Sequence, residues 1–171
     1  MKGYIQVYTG NGKGKTTAAI GLTLRATGAG KKVFFAQFAK GQIYSEVKAI
    51  QEYLPSVEIR QYGLDCFIID KPEQADIDIA RKGLKEIEEI ILSGNYDIVI
   101  MDEANIAVYY KLFSVGELIE VLKQKPENME IVITGRYADP ELIEFADLVT
   151  EMKEIKHYYT KGVEARLGIE Y

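Results

Sequence analysis

Short apolar runs alternate with longer amphipathic stretches along this chain. Two of the runs, residues 98–101 and 131–133, are apolar at every position, which is typical of strands covered on both faces in a parallel sheet. Six runs are predicted to be strands: residues 4–8, 32–38, 57–62, 97–101, 129–134 and 148–152.

The stretches between the strands carry helical patterns. Residues 73–92 are predicted to form a helix because apolar side chains recur there at helical spacing: Ala80, Leu84, Ile87 and Ile91. Two further helix starts are marked by capping residues, Ser114 with Glu117 and Asp139 before Pro140. The alternation predicts an α/β fold, a mainly parallel sheet with helices on both faces. No repeat or linker divides the chain, so residues 1–171 are expected to form a single domain.

Composition narrows the possible functions. The chain has 21 basic and 26 acidic residues, a formal net charge of −5, which argues against a nucleic-acid partner. The sequence does not open with a basic segment followed by an apolar one, and no apolar run reaches membrane-spanning length, so we expect a cytoplasmic protein without a membrane partner. Cys66 is the only cysteine and His157 the only histidine, which excludes an internal disulfide and disfavours a zinc site.

A glycine-rich loop lies between the first predicted strand and an apolar helix that begins near Lys15. It consists of Gly10, Asn11, Gly12, Lys13, Gly14, Lys15, Thr16 and Thr17. The glycines allow backbone N–H groups to turn inward around phosphate oxygens, Lys15 can reach those oxygens, and the Thr16 hydroxyl can ligate Mg²⁺. The general motif has its first glycine five residues before Gly14, where this chain has Thr9. An unrelated glycine-rich turn is the alternative, but the strand–loop–helix context favours phosphate binding.

Two adjacent carboxylates, Asp102 and Glu103, follow the apolar strand 97–101. In phosphate-loop proteins a strand of this kind delivers an acidic residue to magnesium through a bound water. Asp102 is the candidate for that role, and Glu103 is expected beside the nucleotide. A solvated acidic strand end is the alternative.

Basic residues follow two other strands. Arg136 comes after the strand 129–134 and Lys40 after the strand 32–38. Loops at the carboxyl ends of parallel strands line the ligand crevice, so either residue could contact a phosphate. A surface residue in an ordinary loop is the alternative for both.

Taken together, these motifs resemble the ATP:corrinoid (cob(I)alamin) adenosyltransferase family of the P-loop type. The resemblance runs nearly end to end through ordered landmarks: the glycine-rich loop, Gln37-Phe38, Lys40-Gly41, Met101-Asp102-Glu103, Thr134-Gly135-Arg136, Ala146-Asp147, Lys156-His157, Gly162-Val163 and Gly168-Ile169-Glu170-Tyr171. The displaced glycine at Gly10 is what this family shows.

The resemblance implies a RecA-like P-loop fold, usually homodimeric, in which ATP lies with its polyphosphate in the reverse of the usual direction. A cobalt(I) corrinoid attacks the 5′ carbon of ATP and triphosphate leaves with its magnesium. Lys15, Thr16 and Glu103 are the implied catalytic residues, residues 10–17 and Arg136 bind substrate, and Thr16, Asp102 and Glu103 surround the metal. An electron donor such as reduced flavodoxin supplies the cobalt(I) state.

The sequence departs from the best-known family members in two ways. Those members carry a further N-terminal segment over the site, whereas this chain begins just before the first predicted strand. They also place a phenylalanine and a tryptophan after the third strand to displace the lower axial ligand of cobalt. This chain has no tryptophan, and Phe67 is the expected substitute in that region. The alternative is that Cys66, Phe67, Ile68 and Ile69 only fill the core under the next helix. Corrinoid handling is therefore expected to differ in detail.

Other uses of ATP stay open from the residues alone. A RecA-like ATP hydrolase or kinase, with Glu103 orienting water, is the main alternative. A nucleotide-dependent regulator that binds ATP without turnover is the second. The products separate the three, because hydrolysis or kinase action yields ADP and adenosyl transfer yields triphosphate.

Overall fold

The computed structural model describes residues 2–42, 44–64 and 71–171. Within these residues the chain forms six strands: β1 (Ile5–Thr9), β2 (Val33–Phe38), β3 (Val57–Tyr62), β4 (Ile98–Asp102), β5 (Glu130–Thr134) and β6 (Leu148–Glu151). Each corresponds to one predicted strand, with ends that differ by at most one residue.

The strands form one sheet in the order β3-β2-β4-β5-β1-β6. Every neighbouring pair is parallel. Each connection between successive strands therefore returns the chain to the edge of the sheet where the strands begin. The predicted α/β class is confirmed, and the arrangement is consistent with the RecA-like P-loop fold.

In the described part of the chain, six helices connect the strands: α1 (Lys15–Gly28), α2 (Ser45–Tyr53), α3 (Gln74–Ser93), α4 (Ala104–Tyr109), α5 (Val115–Lys123) and α6 (Pro140–Phe145). A short 3₁₀ turn follows at Tyr158–Lys161. The helix predicted over residues 73–92 is confirmed as α3. Ser114 and Glu117 form the expected capping box of α5, and Asp139 caps α6, whose first residue is Pro140.

The sheet is covered on both faces, because alternate residues of its strands enter two separate cores. Val99 and Met101 of β4 pack in one core with α3 and α5. Ile98 and Ile100 pack in the other, with Ala19 of α1. No helix in residues 2–42, 44–64 and 71–171 has the length and apolar character needed to span a membrane.

Strand register gathers the carboxyl ends of the central strands at one edge. Gln37 of β2 is level with Asp102 of β4, and Tyr8 of β1 is level with Thr134 of β5. Ligands of open parallel sheets bind outside this edge. The loops after β1, β2, β4 and β5 are therefore the ones that can share a site.

Candidate active site

The glycine-rich loop turns sharply at Gly10, directly after β1. Gly10 has φ of 93° and Gly14, the N-cap of α1, has φ of 119°, a region that residues with a Cβ rarely adopt. A Cβ at Gly10 would lie 2.5 Å from the carbonyl oxygen of Met152. Glycine is required at position 10, where the turn falls, whereas Thr9 still belongs to the strand.

The segment after β6 braces this loop. The Gly12 N–H donates a 2.7 Å hydrogen bond to the Met152 carbonyl, and the Met152 N–H donates a 2.8 Å bond to the Thr9 carbonyl. The expectation that the glycines turn their N–H groups inward therefore does not hold at Gly12 in this conformation. A Cβ at Gly12 would lie 2.6 Å from the same Met152 oxygen, so the close approach itself requires glycine.

The side chain of Lys15 folds back into the loop and is only 7% exposed. Its Nζ donates 2.8 Å hydrogen bonds to the carbonyl oxygens of Gly10 and Gly12. Burial lowers the pKa of the Lys15 ammonium, while the nearby Glu103 carboxylate opposes that shift. A cation thus lies at the centre of the loop, at the N-terminus of α1.

Asp102 lies behind the loop with no exposed surface. Its Oδ1 accepts hydrogen bonds from the Thr16 hydroxyl at 2.8 Å and from the Thr134 hydroxyl at 2.6 Å. Its Oδ2 accepts from Lys40 Nζ at 3.0 Å and from the Gln37 side-chain amide at 3.3 Å. These four donors fix the carboxylate in one orientation, beside the threonine predicted to ligate magnesium.

Glu103 adopts a left-handed backbone conformation, with φ of 59°, as the N-cap of α4. Its N–H donates a 3.1 Å hydrogen bond to the Thr134 hydroxyl. Burial raises the pKa of the Glu103 carboxyl, as does the adjacent Asp102, while Lys40 lowers it. Such strained backbone is typical of functional sites, and it turns Glu103 toward the glycine-rich loop.

The loop after β5 packs closely against the residues that follow β4. A Cβ at Gly135, where φ is 131°, would lie 2.9 Å from the Asn105 Cβ and 3.3 Å from a Glu103 carboxylate oxygen. Glycine at this position allows the close approach of the two loops, and Arg136 follows directly after it. The Arg136 charge acts on the pKa values of both Glu103 and Lys15, and its contact with a phosphate stays a prediction.

A cavity of about 760 Å³ opens in front of these residues, a volume suited to a nucleotide-sized ligand. Eight predicted site residues line it: Gly12, Lys13, Gly14, Lys15, Thr16, Thr17, Glu103 and Arg136. Gly10, Asn11 and Asp102 are not on its wall. Phe67 lies outside the described residues.

The C-terminal tail, residues 168–171, forms a wall of the cavity that sequence reasoning did not place there. Lys13 Nζ donates to the Ile169 carbonyl at 2.9 Å and to Glu170 Oε1 at 2.8 Å. Arg166, Lys13 and Tyr158 hold the pKa of the Glu170 carboxyl well below its usual range. The tail is therefore attached to the phosphate loop through Lys13, which contacts the Ile169 carbonyl and the Glu170 carboxylate.

Lys40, Tyr110, Tyr137 and His157 also line the cavity. The His157 ring accepts a 3.0 Å hydrogen bond from the Tyr159 N–H through Nδ1, so it stabilises the local turn as an acceptor. Tyr137 has φ of 59° and stacks on Tyr109 at 4.4 Å between ring centroids. The sequence contained no pattern that could have identified Tyr110 and Tyr137 as cavity residues.

The donor set at the Thr16–Asp102 contact suits Mg²⁺, which prefers oxygen ligands. In the described part of the chain, no group of three or more His, Cys, Asp or Glu side chains could hold a metal on its own. Such a site fits an ion that keeps several waters and takes its remaining ligands from phosphate, as Mg²⁺ does with nucleotides.

A parallel sheet with this strand order, a glycine-rich loop before α1 and a buried aspartate beside the loop threonine define a RecA-like P-loop architecture. The chain belongs to the ATP:corrinoid adenosyltransferase family BtuR/CobO/CobP, whose family model matches residues 1–171. The resemblance seen in the sequence motifs is thereby confirmed.

Curated relatives match over nearly the whole chain. A corrinoid adenosyltransferase of Sinorhizobium sp is 38% identical over 174 residues, which cover 99% of this chain and 81% of the relative. A corrinoid adenosyltransferase of Escherichia coli (strain K12) is 34% identical over 170 residues, covering 99% and 86%. The corrinoid adenosyltransferase CobA of Salmonella typhimurium is 33% identical over 170 residues, with the same coverage.

Proposed function

We propose that this protein is a transferase that moves the 5′-deoxyadenosyl group of ATP to the cobalt of a cobalt(I) corrinoid and releases triphosphate. The observation that carries the proposal is the pairing of Thr16 with Asp102 at the foot of a phosphate loop, in a chain of this family. One carbon–cobalt bond forms with the electron pair of cobalt(I), and the bond from C5′ to the triphosphate oxygen breaks with its pair on that oxygen.

The cavity supports this chemistry because the reaction needs no general base. Cobalt(I) is itself the nucleophile, so the protein has to align the reactants and stabilise a leaving group of high negative charge. Among the described residues, lysine and arginine side chains that line the cavity are Lys13, Lys15, Lys40 and Arg136. The N-terminus of α1 adds its partial positive charge.

In this proposal Lys15 exchanges its two carbonyl partners for oxygens of the triphosphate. Its present hydrogen bonds to Gly10 and Gly12 are 2.8 Å long, so the ammonium already lies inside the loop. Arg136, which also lines the cavity, contacts the same polyanion. Both contacts strengthen as charge collects on the leaving group, which accelerates the reaction.

Thr16, Asp102 and Glu103 are the residues that would hold Mg²⁺. Bound Mg²⁺ neutralises charge on the polyphosphate and on the triphosphate that leaves. The Thr16 hydroxyl is directed by its hydrogen bond to Asp102, and Asp102 is itself fixed by Thr134. The protein therefore supplies oxygen ligands that hydrogen bonds already orient.

Several finer features are part of the proposal. The whole chain acts as one domain, the enzyme works as a cytoplasmic homodimer, and an electron donor such as reduced flavodoxin supplies cobalt(I). Phe67 contributes an apolar side chain beside the corrinoid, where exclusion of the lower axial ligand makes cobalt easier to reduce.

The experiment that tests the proposal is an analysis of the products of ATP under anaerobic conditions with reduced cobalamin and Mg²⁺. We expect triphosphate, formed only when the corrinoid is present. ADP would indicate the hydrolase or kinase alternative, with Glu103 orienting water. ATP that is bound but unchanged would indicate a regulatory nucleotide-binding protein.

A further inference from the structure

The side chain of Lys40 lies among the oxygens that are the candidate magnesium ligands. Its Nζ is 3.0 Å from Asp102 Oδ2 and 3.4 Å from the Thr16 hydroxyl oxygen. The Lys40 side chain is 17% exposed and that of Asp102 is fully buried. An ammonium therefore occupies the same place between two oxygens that a metal ion bound by this pair would take.

The backbone that carries Lys40 is held firmly. Ala39 has φ of 54°, and a Cβ at Gly63 would lie 2.4 Å from the Lys40 backbone nitrogen. A Cβ at Gly41 would lie 2.4 Å from the Leu64 carbonyl carbon. With the two loops in such close contact, Lys40 can change partners only by rotation of its four-carbon side chain.

The contact has an electrostatic reason. A fully buried carboxylate is costly without a compensating cation, and Asp102 has Lys40 as its ion-pair partner. When a divalent ion binds beside Asp102 and Thr16, the ammonium is repelled from this position. Lys40 also lines the cavity, where a polyphosphate offers new partners.

We propose that Lys40 is a positioning residue that holds the metal's place in the ligand-free protein and moves to the polyphosphate when Mg²⁺ and ATP bind together. This rests on the proposed function, because it assigns the metal and the polyphosphate to one cavity. It follows that Lys40 competes with free metal, so the site accepts the divalent ion together with the nucleotide and binds either one poorly alone.

The test compares Lys40→Met, which keeps an apolar stem and removes the charge, with Lys48→Met. Lys48 is exposed on α2 and does not line the cavity, so its variant controls for the loss of one positive charge. Two affinities are measured without turnover: that for Mn²⁺ without nucleotide, by electron paramagnetic resonance, and that for ATP in excess chelator, by calorimetry.

We expect Lys40→Met to bind free Mn²⁺ about tenfold more tightly than the natural protein, since its partly buried competitor is gone. The affinity of the same variant for metal-free ATP should change less than its Mn²⁺ affinity, because without the metal Lys40 stays on Asp102. Lys48→Met should match the natural protein in both. Mn²⁺ affinity that is unchanged or reduced in Lys40→Met overturns the inference and makes Lys40 a structural ion-pair partner or a simple phosphate ligand.

A structure of the natural protein with Mg²⁺ and ATP tests the same inference without a variant. Lys40 Nζ should lie within hydrogen-bond distance of a phosphate oxygen and away from Asp102. If it still contacts Asp102 Oδ2 with metal bound, the inference is wrong. Absence of any Mg²⁺–ATP binding by the natural protein contradicts the proposed function instead, so the two failures are distinguishable.

Discussion

Thr16 and Asp102 are 86 residues apart in the chain, yet the Thr16 hydroxyl donates a 2.8 Å hydrogen bond to Asp102 Oδ1. The contact exists because β1 and β4 both end at the same edge of the sheet, with β5 between them. Thr134 of β5 donates to the same carboxylate oxygen. Three strands thus define one oxygen-rich point at the foot of the phosphate loop.

Replacing Lys15 with alanine should slow the reaction without unfolding the protein. The lost charge-assisted contact is expected to cost roughly 2–4 kcal/mol of transition-state stabilisation, which is about 30- to 1,000-fold in kcat/KM. The measurement is turnover of Lys15→Ala beside its circular dichroism spectrum, with Lys48→Ala as the control. Normal turnover in a folded Lys15→Ala protein would remove Lys15 from the phosphate site.

Asp102→Asn should weaken the binding of the metal more than the binding of the nucleotide. The amide keeps an acceptor for Thr16 and Thr134, but it lacks the charge needed by the metal and turns an N–H group toward Lys40. We expect a loss of about 1–3 kcal/mol in the free energy of unfolding. The apparent Mg²⁺ affinity at saturating ATP should fall at least roughly tenfold.

ATP binding in excess chelator is the control for Asp102→Asn, because it reports the site without metal. It should change less than the Mg²⁺ affinity does. Equal losses with and without metal would show that Asp102 only supports the fold.

Gly10→Ala should damage the phosphate loop in a way that an ordinary glycine substitution does not. Gly10 has φ of 93° and lies against the Met152 carbonyl, so a methyl group there is strained. We expect Gly10→Ala to lower the free energy of unfolding by about 1–3 kcal/mol. Gly21→Ala in α1 is the matched control. Nothing lies within 4 Å of its Cβ position, so it should be neutral or stabilising by up to about 1 kcal/mol. The melting temperatures and ATP affinities of both variants are compared. If Gly10→Ala matched Gly21→Ala in both quantities, the loop geometry would be contradicted.

Glu170→Gln should loosen the C-terminal tail. The pKa of Glu170 is lowered by its contacts with Arg166 and Lys13. The stabilisation that these contacts give is therefore fully present above the ordinary pKa of a glutamate, about 4.3. This stabilisation is lost only as the pH falls through the lower pKa that Glu170 has in the folded protein. Amide hydrogen exchange of residues 166–171, corrected for intrinsic rates, should therefore be slow at both pH 7 and pH 5 in the natural protein. In Glu170→Gln it should be faster at both of these pH values.

The matched control for the tail is Glu164→Gln, since Glu164 is exposed on the same segment. It should leave exchange unchanged. If both variants exchange alike, Glu170 does not attach the tail.

Strand positions could be predicted from this sequence because fully buried parallel strands leave contiguous apolar runs, as β4 does. The helices α2 and α4 were not predicted. The nine-residue α2 buries only Val47 and Ile50, and α4 has six residues, too few to display a helical period. Short helices of this kind depend on the sheet beneath them.

The phosphate loop and its acidic partner were predictable because each directly follows a strand. By contrast, the contacts of Lys40 with Asp102 and of Lys13 with Glu170 join residues 62 and 157 positions apart. They depend on where the chain passes in space, which spacing along the sequence does not encode. The role of Phe67 stays a prediction, since it lies outside the described residues.

The central claim concerns the fate of C5′ of ATP, and an isotope label at that atom tests it most directly. ATP carrying ¹³C at C5′ is incubated anaerobically with the protein, Mg²⁺ and cobalt(I) cobalamin, and the corrinoid is examined by carbon NMR before and after illumination. The expected result is a labelled carbon bonded to cobalt, lost on exposure to light, with one triphosphate released for each bond formed. Label that stays in ADP or in unchanged ATP, with an unlabelled corrinoid, would contradict adenosyl transfer.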